Sequence, residues 1–247
     1  MMRPVQIWIG SYYHMSGGIR ALHVLRDELL ARDIQAWMTY QLPAVNVPDA
    51  ITIYPEIVST NPMDAQRIVR WKLNKAELPD DGLTVAWETG MGDHPLLTVN
   101  IVEDFFYPRP NKKTNKVAYW IGKGLAYPEI IPAGAEEISR DNHPDRQELA
   151  EYIASLDYLI SFDPFTAVNL EAVLSGTPVL VYAPHNTWQK AHIQAHGWLP
   201  YGVAWDPSEL AKARDTVHRA RGHYEALKSV FSGRIDAFVD TISTRWP

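Results

Sequence analysis

Two small α/β lobes, each built on a mainly parallel sheet, are what this sequence predicts. Three observations carry that expectation. Apolar strand-like runs alternate with helix-like stretches over residues 1–102, a Pro- and Lys-rich segment EDFFYPRPNKKTNK (103–116) interrupts them, and the alternation then restarts. The boundary is placed in that segment, giving lobes 1–104 and 105–247 with a helical tail on the second.

In the first lobe, VQIWIG (5–10) reads as a short buried strand, and Ile19 to Arg32 as a helix with Leu22, Leu25 and Leu29 on one face. IQAWMTY (34–40) and AITIYPEI (50–57) read as the next strands. STNPMDAQRIVRWKLN (59–74) carries helix-start signals, with Asn61 as cap, Pro62 in the first turn and Asp64 complementing the dipole. LTVAWET (83–89) and LLTVNIV (96–102) complete the lobe as strands. In the second lobe KVAYWIGKG (116–124) and AEEISR (135–140) contain strands, and Arg146 to Leu156 forms a helix bearing Leu149, Ile153 and Leu156. DYLISFDPFTAVNLEAVLSGTPVLVYA (157–183) is strand, turn, helix and strand. A Trp/His-rich loop leads to a helical tail from Ser208, with Leu210, Ala213, Val217, Ala220, Tyr224 and Leu227 in phase and Gly233 expected to divide it.

The chain of 247 residues is 46% hydrophobic, enough to bury a core. A net charge of −6 argues against a non-specific nucleic-acid surface, and the absence of Cys excludes disulfides and thiolate-held metals. No apolar run reaches the roughly 18 residues of a spanning helix, and MMRPVQIWIG lacks a signal-peptide pattern, so a soluble cytoplasmic protein without a transmembrane segment is expected. Nine Trp and twelve Tyr serve chiefly as packing, with sugar or base stacking as the less common use.

The densest chemistry lies where the 157–162 strand becomes a helix. Asp163, the Pro-Phe-Thr turn and Glu171 put two carboxylates and a hydroxyl at the end of a parallel strand where ligands sit. The backbone N–H groups of Thr166 and Ala167 would meet phosphate at the helix N-terminus. The plain alternative is that Asp163 only caps the helix and Glu171 is solvated, but Leu170, Ala172, Val173 and Leu174 make a poor setting for an idle surface acid. Lys123, between two glycines in IGKG (121–124), can reach a pyrophosphate as a point charge, or be a solvated loop lysine; Arg140 is a lesser candidate for that task. Ser16-Gly17-Gly18 opens a helix after the first strand, though without a G-x-G-x-x-G pattern. Glu56, Glu88 and His14 are candidate bases, each more often solvated or capping. His185, His192 and His196 lack an H-E-x-x-H or Cys partner, so no metal is expected. No Asp-x-Asp occurs, which removes the usual anchor of a metal-held diphosphate.

FDPFTAVNLEAVLSGTPVLV, SGGIRALHVLRDEL, YPEIVSTNP and YWIGKG together resemble the GT-B glycosyltransferases, in which two Rossmann-like lobes face each other across a cleft. The chain looks like a compact member of small bacterial or phage glycan transferases. Asp163 to Glu171 is similar to the family's Glu-x7-Glu motif, with Asp163 in place of the first Glu. The resemblance implies an N-terminal acceptor-side lobe and a C-terminal nucleotide-sugar lobe. It implies Glu171 on the ribose and Asp163 and Phe165 at the donor. Thr166 and Ala167 would meet the diphosphate, Lys123 the phosphates, and Gly17 and Gly18 would lie close to the donor.

The function so implied is metal-independent transfer of a sugar from a nucleoside-diphosphate sugar to an acceptor hydroxyl, with Glu56 or His14 serving the acceptor and no cofactor. The acceptor class is a saccharide or lipid-linked glycan, with a hydroxylated DNA base as the other class, which the charge does not favour. A non-catalytic nucleotide-sugar-binding module and a sugar-nucleotide epimerase are the alternatives.

Overall fold

β-branched and aromatic residues gather into ten short strands in the computed structural model, which describes residues 2–9, 16–40, 47–110, 113–139, 141–143, 145–186, 188, 190–195 and 197–247, without the side chains of 192, 194 and 195. The strands form two five-stranded sheets in which every pairing is parallel. By internal contacts the chain divides into unit 1, residues 1–101 with 227–247, and unit 2, residues 102–226. The sequence expectation placed the whole tail with the second lobe; its last part instead packs in unit 1.

Unit 1 runs β1 (Val5–Ile9), α1 (Gly17–Leu30), β2 (Ala36–Tyr40), β3 (Ile51–Pro55), β4 (Ile68–Lys72) and β5 (Leu83–Ala86), with strand order β2-β1-β3-β4-β5. β3 is buried along its whole length and β4 in all but its last residue, as parallel strands covered on both faces must be. Unit 2 runs β6 (Val117–Trp120), β7 (Glu136–Glu137), α2 (Arg146–Ser155), β8 (Tyr158–Ser161), α3 (Ala167–Leu174), β9 (Val179–Val181), α4 (Lys190–Ala195), β10 (Val203–Ala204) and α5 (Leu210–Thr216). Its order is β10-β9-β8-β6-β7. Read from the opposite edge, this repeats the strand order of unit 1. The closing helix α6 (Ala220–Arg245) begins in unit 2 and ends in unit 1.

Four expectations are corrected. Residues 59–74 form no helix. Asn61 Oδ1 accepts from Ala65 N at 2.9 Å and from Tyr54 OH at 2.8 Å, so the cap-like residues staple a turn. Asp64, at φ 48°, closes it in the left-handed region. The Ile-Val-Arg-Trp run that follows is β4, paired with both β3 and β5. Residues 96–102 make one parallel bridge, Leu96 to Ala86, and no strand. The Leu97 carbonyl that a ladder would use accepts instead from Trp71 Nε1 at 3.0 Å, and Leu97 and Val99 plug the core. Lys113, read as a linker residue, donates to Leu156 O at 2.9 Å and Thr177 Oγ1 at 2.8 Å. Gly233 does not divide the tail: α6 passes straight through it.

Candidate functional site

A sheet of order 2-1-3-4-5 reverses direction once, and the loops leaving the two strands at that point part to opposite faces and open a crevice. In unit 2 the reversal falls between β6 and β8, which pair through Trp120 and Ser161 at their C-terminal ends. The segments that leave there are Ile121–Gly124 and Phe162–Thr166, so the sequence-selected Lys123, Asp163, Phe165 and Thr166 share one switch point.

The first loop is a tight turn, closed by Gly124 N donating to Ile121 O at 2.8 Å. Gly122 has φ 56°, and a Cβ there would meet Trp120 Nε1 at 2.4 Å and Asp163 Oδ2 at 2.6 Å. A Cβ on Gly124 would fall 1.9 Å from the Phe162 carbonyl oxygen. Both glycines are therefore imposed by the close approach of the β8 end, and between them Lys123 projects into solvent. Asp163 is 5% exposed and acts as the clamp: Oδ2 accepts from Lys123 N at 3.0 Å and Oδ1 from Phe165 N at 3.2 Å. Asn169 Nδ2 donates to Asp163 O at 2.9 Å and fixes the turn to α3. Thr166 precedes α3 in extended conformation and its side chain makes no cap bond, leaving the first-turn N–H groups without that partner. Phe165 stacks on the buried Trp188, ring centroids 4.2 Å apart at 14°. The indole N–H of Trp120, itself 5% exposed, has no hydrogen-bond partner within the described structure.

Glu171 lies apart from this surface. It is fully buried on α3, and Arg146 donates to its two carboxylate oxygens at 2.7 and 3.2 Å. Arg146 also donates to both oxygens of Glu103, at 2.7 and 3.1 Å, and lies over the Phe106 ring. The two carboxylates hold the Arg146 guanidinium above its ordinary pKa against the burial that opposes its charge. In this conformation Glu171 offers no surface to a ribose. Arg146 and Glu103 were missed at the sequence level. Arginine at the first position of a helix opposes the macrodipole, and that misfit was the available signal of a buried acid partner.

Unit 1 has the equivalent switch point between β1 and β3. Ser16 Oγ caps α1 by accepting from Ile19 N at 3.4 Å, and Gly17 and Gly18 are its first residues. A Cβ on Gly18 would meet Leu73 at an ordinary 3.6 Å. Glu56 leaves the end of β3, and its Oε2 accepts from Leu73 N at 3.1 Å, tying the ends of β3 and β4. Glu88, just beyond β5, is buried, and desolvation pushes its carboxyl up to about 8 against the fields of Lys75 and Arg234. His14, Arg140 and His196 lie outside the described residues, as does the His192 side chain. Among the described residues no group of three or more His, Asp or Glu side chains could hold a metal ion, and no helix is long and apolar enough to cross a membrane.

No protein-family model matches the sequence, and no curated protein matches it. Among solved structures, CalG4, the calicheamicin glycosyltransferase, is similar over 99% of this chain and 98% of that chain, with a TM-score of 0.42 and 12% identity. A likeness at that level assigns no activity.

Proposed function

We propose that the chain is a glycosyltransferase that takes a sugar from a nucleoside-diphosphate donor to an acceptor hydroxyl, without a metal ion. The observation that carries this reading is the convergence at one switch point of unit 2 of an exposed Lys123, the uncapped N-terminus of α3 and the Asp163 clamp. Negative charge grows on the diphosphate as the glycosidic bond to it breaks. A lysine ammonium and oriented backbone N–H groups are donors that stabilise that charge at fixed positions. The unpartnered Trp120 N–H is a further donor of the kind that a bound group satisfies. Glu56 or His14 would orient or deprotonate the acceptor. Glu171 enters as a positioning residue that holds α3 through Arg146. This replaces the ribose contact implied by the family resemblance, which would need the Arg146 pair to open.

The test is a thermal-shift and calorimetric screen of the purified chain with UDP, GDP, ADP and CDP, since a ligand bound to the folded state raises its stability. One nucleotide should bind, and Lys123→Ala should weaken it about ten-fold or more, the scale of one charge-assisted contact, while leaving unfolding of the free protein unchanged. Retention of full affinity and donor turnover by Lys123→Ala would overturn the assignment. A second reading, a nucleotide-sugar-binding module without transfer activity, is favoured by the engagement of Glu56 with Leu73 N. Binding without hydrolysis or transfer across a panel of nucleotide sugars would select it.

A further inference from the structure

We propose that the groove between α6 and the β5 edge of unit 1 is a binding site for an aliphatic carboxylate, its head on Arg234 and its tail along Val85, Leu96 and Phe238. The groove is open on one side and offers ≈ 400 Å³, within the range of small-ligand sites. Its lining is apolar apart from Thr241 and one charged residue, Arg234. An apolar wall with a single guanidinium in it complements a ligand that has one negative end and a hydrocarbon body.

Three features fit the groove to such a ligand. The guanidinium is already oriented: Arg234 NH1 donates to Thr98 Oγ1 at 2.7 Å, and Thr98 in turn donates to Trp87 O at 2.6 Å. Glu88, the acid whose field acts on it, is buried, and desolvation pushes that carboxyl up to about 8. Gly233 supplies the room. A glycine inside a helix weakens it, and here it does not end α6. It lines the groove, where a Cβ would meet nothing within 4 Å. Val230, 44% exposed, stands one turn earlier on the same helix stripe and forms the apolar rim.

The experiment titrates the full chain with decanoate, decanol and acetate, separating charge with tail, tail alone and charge alone. Decanoate should bind more tightly than either control. Arg234→Gln should weaken decanoate about ten-fold, the equivalent of a charged hydrogen bond, and leave decanol unchanged, whereas Gly233→Leu should block both. Equal affinity for decanoate and decanol, indifference to Arg234→Gln, or binding that survives Gly233→Leu would each overturn the proposal. So would a concentration-dependent dimer abolished by Val230→Asp, which would make a second copy of the chain the occupant.

Discussion

The two sheets share a strand order, yet unit 2 places α2, α3 and α4 in the connections from β7 to β8, β8 to β9 and β9 to β10, whereas unit 1 joins β3 to β4 and β4 to β5 with no helix at all. Parallel strands need a long crossover, and a helix is the usual way to fill it and cover the sheet. Unit 1 instead uses a turn stapled by Asn61 and Tyr54, and brings the last part of α6 against the β5 edge. One strand order thus tolerates two sources of covering layer, local helices in unit 2, and in unit 1 the local α1 together with a segment from late in the chain. The switch points differ as well. In unit 2 the loops are locked by steric need and by Asp163, whereas at Gly18 in unit 1 there is ordinary space.

The largest effect that separates the units is expected at their buried arginines. Arg146→Met strands Glu171 as a fully buried charge and should destabilise unit 2 by about 3–5 kcal/mol, read from urea unfolding with hydrogen exchange to assign the loss to residues 102–226. Arg70→Met in unit 1 should cost less: Asp81 is 34% exposed and can be solvated when its partner goes. Equal losses would erase the contrast between the two ion pairs.

Next come the glycines. Gly124→Ala drives a Cβ into the Phe162 carbonyl and should cost about 1–3 kcal/mol or more, with loss of nucleotide binding. Gly18→Ala has room in a helix and should be neutral or stabilising by up to about 1 kcal/mol. A thermal melt of each variant decides.

The last contrast is a pair of opposed pH dependences. Glu88 in unit 1 is raised to about 8, so between its ordinary value of 4.5 and 8 the folded state holds a proton that the unfolded state lacks. Its stabilising contribution is full below the lower value and falls as pH rises through that window. Lys113 in unit 2 is lowered by burial to about 8 from 10.5, so across that interval the unfolded chain holds the extra proton and stability rises with pH. Glu88→Gln should flatten the first slope and Lys113→Met the second, each measured by denaturation over the matching pH range.

The sequence carried the second lobe more completely than the first. In 157–181 the apolar runs, the Asp-Pro turn and the Gly-Thr-Pro break all state the same local structure, and they became β8, α3 and β9. At 59–74 the local signals conflict: Asn, Pro and Asp start helices and also build turns, and only the burial of Ile68, Val69 and Trp71 between two neighbouring strands decides for β4. The gathering of Lys123, Asp163 and Thr166 was legible because each stands where a strand ends. The Arg146 pair was not, since residues 103, 146 and 171 are joined only by tertiary packing. The α6 groove was unreadable for the same reason, its walls coming from residues 85–96 and 230–241.

That return of the chain has a consequence for biosynthesis. The sheet of unit 1 is translated first, yet the segment that brings Arg234 and Phe238 to its β5 edge is translated only after all of unit 2. A nascent chain therefore carries an unfinished first unit while the second folds, with Val85 and Leu96 lacking their final cover. Unit 2 is a continuous stretch that can close as soon as it has emerged, whereas unit 1 can be completed only after all of unit 2 has been made.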